Sequence, residues 1–229
     1  MIDPNTDAEV LEHYYKKFEN NNKFNCFEKK DQEACQGLAD FYLKNERIPE
    51  AKAAFKINCF ENSYGPSCHR FANLLYDEGL VERDDFIKAL QFGCNGKNFS
   101  SDACALLGML HDPRPGQLFQ KGVFLEDNMK KAVEYYEKGC NGGAPQGCHN
   151  LANMYNRQGN SEKALLFMEK TCELGDRKAC IFVYNVYAGM SKHFPDIKPN
   201  KIKEEYYKKI VIDSSSVKAL PDECFKKKR

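Results

Sequence analysis

The chain has 229 residues, enough for one compact domain or a short array of repeats. Its 34 Lys and Arg nearly cancel its 33 Asp and Glu, so no overall field draws it to nucleic acid or an anionic membrane. No run approaches the ~18–20 apolar residues of a membrane span, and residues 1–9, acidic and polar, read as neither a secretory signal nor a matrix-targeting peptide. Eleven cysteines stand against that start, because disulfide-tolerant compartments usually demand a signal.

The spacing predicts a first helix over residues 8–26, then five helix-pair repeats over 31–62, 64–97, 100–142, 144–175 and 176–211. Together these form a single all-α solenoid over 8–211, with a flexible tail over 212–229. Ten cysteines fall into pairs, Cys26/Cys35, Cys59/Cys68, Cys94/Cys104, Cys140/Cys148 and Cys172/Cys180, with Cys224 left over. Their second members recur after 33, 36, 44 and 32 residues, the period of a helix-pair solenoid. The long step holds an insertion over 112–128.

Counting forward from each second cysteine, position +3 is Leu38, Phe71, Leu107, Leu151 and Val183. Position +4 is Ala39, Ala72, Gly108, Ala152 and Tyr184, and position +7 is Tyr42, Leu75, His111, Tyr155 and Tyr187. Offsets of 3, 4 and 7 mark one helix face, and the +3 and +7 residues are expected to line a concave groove. Counting back from the first cysteine, Ala51, Phe86, Ala132 and Ala164 at −8 and Phe55, Leu90, Tyr136 and Met168 at −4 mark a second helix.

Turn residues such as Asn141-Gly142-Gly143-Ala144-Pro145 lie between the two cysteines of a pair. In one continuous helix, eight residues would separate them by roughly 12 Å, beyond the ~7 Å Cα limit of a disulfide. A reversal at the turn brings them together, so a disulfide within each pair is the expected chemistry. Reduced structural thiols and zinc are the other readings; zinc sites favour shorter cysteine spacings.

Lys131-Ala132-Val133-Glu134-Tyr135-Tyr136-Glu137-Lys138-Gly139-Cys140, followed by Cys148-His149-Asn150-Leu151-Ala152-Asn153-Met154-Tyr155, resembles a Sel1-like repeat, a relative of the tetratricopeptide repeat. Asn25-Cys26-Phe27 and Lys56-Ile57-Asn58-Cys59-Phe60 point to a mitochondrial branch of that family. The resemblance runs from about Ala8 to Val211. It implies residence in the intermembrane space after import by the disulfide relay, and a part in assembling respiratory complex IV. The partners it implies are complex IV subunits or copper metallochaperones.

The resemblance further implies haem bound by histidines near the third repeat. His111 lies in the matching segment, while Ala105 stands where a second histidine is expected. The plainer reading of His111 is a groove-lining core residue. His69 and His149 each follow a second cysteine and read as polar surface or groove residues, and His13 and His193 carry little signal.

No catalytic constellation, phosphate loop or Cys-x-x-Cys motif is present. The expected function is therefore a monomeric, non-enzymatic docking scaffold without nucleic acid, membrane span or metal. A haem or thiol–disulfide redox factor in the same compartment and an exported, cysteine-rich ligand-binding protein are the alternatives.

Overall fold

A computed structural model describes residues 8–79, 84–96, 98–112 and 128–213. The tail cysteine Cys224, the basic run over 226–229 and all but the two ends of the 112–128 insertion lie outside the described residues. The described residues form eleven helices and no strand. They fall into two compact units divided between Asp127 and Asn128.

The first unit holds α1 (Ala8–Phe27), α2 (Gln32–Lys44), α3 (Ile48–Phe60), α4 (Gly65–Asp77), α5 (Asp84–Asn95) and α6 (Ser101–His111). The second holds α7 (Met129–Asn141), α8 (Pro145–Arg157), α9 (Ser161–Glu173), α10 (Arg177–Tyr187) and α11 (Lys201–Asp213). Within each unit consecutive helices pack on one another, so every helix is an antiparallel neighbour of the next.

Local chemistry sets these boundaries. The side chains of Asp31, Ser100, Asn128, Asn160 and Asp176 cap helix starts by accepting from the backbone N–H three residues on. Where no such cap exists, α3, α4 and α8 carry a proline in the first turn, where its missing N–H costs nothing. At the α9 end, Gly175 adopts φ +92°, and Asp176 N–H reaches back to Thr171 O at 3.2 Å. Glu46 does the same work between α2 and α3 at φ +59°, with a side chain that disfavours it.

Each repeat buries both stripes read from the sequence. Phe55, Phe71, Phe86, Leu90, Tyr136 and Leu151 are all 2 % exposed or less. Burying a side chain of this size is worth about 1.5–3 kcal/mol. The small +4 residues sit at the helix contacts, with Ala39 and Ala72 fully buried and Ala152 nearly so.

Candidate functional site

The cysteines build the frame on which any site must rest. Each disulfide ties the last turn of one helix to the first turn of the next: Cys26–Cys35 joins α1 to α2, Cys59–Cys68 α3 to α4, and Cys94–Cys104 α5 to α6. Cys140–Cys148 joins α7 to α8, and Cys172–Cys180 joins α9 to α10. The Cα atoms lie 4.5–4.7 Å apart, within the range a disulfide spans without moving backbone. None of the ten cysteines is more than 6 % exposed. An attacking thiolate must reach a sulfur, so exchange at these bonds requires the repeat to open.

Small or polar residues pass beside two of the staples. Gly147, just before Cys148, runs so close to α7 that an added Cβ would sit 2.8 Å from Cys140 N and 2.9 Å from Tyr136 O. In the second repeat the residues are polar instead. Asn58, fully buried, donates to Ser67 Oγ at 2.8 Å and to Gln32 O at 3.0 Å, and accepts from Asn62 at 2.9 Å. Ser67 in turn donates to Gln36 at 2.7 Å. This network joins α2, α3 and α4, and the apolar periodicity gave no sign of it; the only trace is Asn and Ser beside cysteines.

The stripe assigned to a groove requires correction. Leu38, Tyr42, Phe71, Leu75, Leu107, His111, Leu151, Val183 and Tyr187 are buried between helices, and only Tyr155 is half-buried. These side chains hold neighbouring helices together. The physical reason is that both faces of an interior solenoid helix meet other helices, so apolar periodicity marks packing.

The +7 tyrosines carry a second feature instead. Tyr42 donates to Glu19 at 3.1 Å, and the guanidinium of Arg47 covers its ring at 4.4 Å. Tyr187 donates to Glu169 at 2.7 Å, and the ammonium of Lys203 covers its ring at 4.8 Å. Lys163 covers Tyr155 at 5.0 Å. Burial pushes the Glu19 carboxyl up, but hydrogen bonds from Lys23, Tyr42 and Arg47 outweigh it and hold the group below its ordinary value. Lys203 is pushed up by its bonds to Glu169 and Tyr187. Beside this second cluster, Leu165, Leu166 and Ile197 complete an open cleft of about 410 Å³.

Other candidate residues are scattered. His111 ends α6, is 6 % exposed and makes contacts of its own, so a haem would have to displace its packing. Ala105, also buried, supplies no ligand. The described residues therefore do not fit a two-histidine haem site, and they hold no cluster of three or more His, Cys, Asp or Glu side chains able to grip a metal ion. His69 is half-buried with Asn73 Nδ2 at 3.1 Å, and burial lowers its pKa against the opposing pull of Asp102. His149 is half-buried; His13 and His193 are exposed.

An exposed aromatic surface joins α3, α4 and α5. Phe92, 41 % exposed, meets Phe60 edge-on at 5.5 Å, and Phe60 meets buried Phe71 at 5.8 Å. A row of edge-on rings thus runs from core Phe71 through half-buried Phe60 to exposed Phe92. Among the described residues, no helix is long and apolar enough to cross a membrane.

Comparison with known proteins fits this architecture. Residues 145–176, spanning α8 and α9, match the tetratricopeptide repeat model. Cytochrome c oxidase assembly factor 7 of Homo sapiens is 32 % identical over 157 residues, covering 65 % of this chain and 64 % of its own length. The Mus musculus protein of the same name is 30 % identical over 159 residues, with the same coverage. The match thus spans less than two thirds of these relatives.

A Sel1 repeat protein from Oxalobacter formigenes superposes with a TM-score of 0.62 at 19 % identity, covering 85 % of this chain and 78 % of its own. The protective antigen c5321 of uropathogenic Escherichia coli, an SLR fold, gives 0.58 at 19 % identity, covering 80 % and 38 %. At such identity these two speak for the fold alone. The described helices share the fold of Sel1 repeat proteins, and the chain is similar in sequence to proteins named cytochrome c oxidase assembly factor 7.

Proposed function

We propose that this chain assists the assembly of cytochrome c oxidase, serving as a rigid docking scaffold in the mitochondrial intermembrane space. Kinship with the assembly factors named above carries the reading. The five internal disulfides support the compartment, because such bonds form and persist where thiols are oxidised. Their burial supports a scaffold over a thiol-exchange factor, since no sulfur among the ten is presented to a partner.

The docking surface we favour is the aromatic patch around Phe92, with oxidase subunits or copper metallochaperones as its partners. A partly exposed phenylalanine backed by Phe60 and Phe71 offers apolar area at little conformational cost. The test is complementation. Cells deprived of this chain should lose assembled oxidase on native gels and regain it with the wild-type gene. Phe92→Ser should restore less oxidase at equal protein level. Unchanged oxidase in the deprived cells would refute the role, and full rescue by Phe92→Ser would refute the patch. Protease protection of fractionated mitochondria places the protein.

A further inference from the structure

The last described helix, α11, has an outer face unlike that of an end cap. Terminal repeats of a solenoid normally present polar residues outward, since no further repeat covers them. In α11 the inner face is set by Tyr207 and Val211, 4 % and 1 % exposed. At 100° per residue, Ile202, Glu205, Tyr206, Lys209 and Ile212 form a stripe on the opposite side. Ile202 is 83 % exposed, Tyr206 55 % and Ile212 59 %. Glu205 and Lys209 lie in the same stripe and are also exposed.

The order of these residues bears on what would suit this face. Read from its middle at Tyr207, the exposed stripe, Tyr206 apart, is mirrored about its centre. Ile202 and Ile212 are equidistant from the centre, as are Glu205 and Lys209, and at the two ends Lys201 and Asp213. Two copies packed antiparallel about a two-fold axis at Tyr207 would set isoleucine against isoleucine and each carboxylate against an ammonium. A two-fold interface requires this property, because residue i must suit j while j suits i. A stripe evolved for an unrelated partner has no reason to be complementary to its own reverse.

We propose that two copies of the chain associate through the outer face of α11, Glu205 pairing with Lys209 of the partner subunit and Ile202 packing on Ile212 of the partner subunit. This replaces the monomer expected from the sequence. A contact along one thirteen-residue helix is small, so the dimer is a weak one whose population depends on concentration.

The test uses the full chain in sedimentation equilibrium from micromolar to millimolar concentration. Wild type should shift from one chain toward two as concentration rises. Glu205→Lys alone and Lys209→Glu alone each place like charges across the axis, and each should lose the dimer by at least tenfold in Kd. Mixing the two single variants should restore it, because their heterodimer regains both opposite-charge pairs. Helical circular dichroism equal to wild type shows that each variant is folded.

Ile202→Asp should abolish association without changing the melting temperature, its side chain being solvated in the single chain. A wild-type chain that stays single throughout overturns the proposal and leaves the stripe to residues 214–229 or to a different protein. So does a mixture that associates no better than its components.

Discussion

Replacing Cys59 and Cys68 together by alanine removes one staple and nothing polar. The bond closes a sequence separation of 9 residues, and chain-entropy reasoning makes such a loop worth about 2.6 kcal/mol. Both sulfurs are fully buried, so their lost packing adds about 1 kcal/mol. A total near 3–4 kcal/mol is expected. Loop separations of 8 to 10 in the other four pairs change the entropy by only about 0.2 kcal/mol, so differences among the staples report local packing. Summed, five loops contribute about 13 kcal/mol, as large as the whole stability of an ordinary domain. Urea titration followed by circular dichroism measures the single pair, and the same titration with reductant measures all five. A double variant within 1 kcal/mol of wild type would refute the reasoning, as would a fully reduced chain that keeps its cooperative transition.

Four further outcomes follow from particular contacts. Asn58→Ala leaves Ser67, Gln32 and Asn62 short of a buried partner and should cost about 2–3 kcal/mol in the same urea assay. Gly147→Ala forces a methyl against Cys140 N and Tyr136 O and should cost about 1–3 kcal/mol, read as a lower melting temperature. Glu46→Gly relieves a left-handed backbone at φ +59°; after the greater freedom of glycine in the unfolded chain is subtracted, a gain of about 0.5–1 kcal/mol is expected. Glu19 is held below its ordinary value of 4.5, so the folded state binds its proton less readily than the unfolded state. Its contribution is present above pH 4.5 and lost as pH falls through the lowered folded value. Stability measured across that window should fall less steeply in Glu19→Gln.

The fold was largely legible because its determinants are local and repeated. Cysteines at a steady period, Gly or Pro between them and apolar offsets of 3, 4 and 7 each constrain one short segment, and agreement among repeats removes ambiguity. The site was less legible because exposure is a tertiary property. Leu38 and Tyr42 obey the same periodicity whether they face a groove or another helix, and here they face helices. Asn58 and Ser67 looked like ordinary polar residues beside cysteines until the staple brought them within 2.8 Å. The cation-covered tyrosines were hidden for a related reason: Tyr187 and Lys203 are 16 residues apart, and only the return of α11 unites them. Phe92 carried the opposite ambiguity, a ring beside a cysteine that could as well have been core.

The disulfide frame underlies the stability, the compartment and the scaffold reading alike. Its most direct test is differential alkylation of the chain from its own cells, with thiols trapped by acid and the sites read by peptide mass mapping. Ten protected cysteines, linked Cys26–Cys35, Cys59–Cys68, Cys94–Cys104, Cys140–Cys148 and Cys172–Cys180, are expected. Any of these ten found alkylated before reduction, or linked across repeats, would contradict the account.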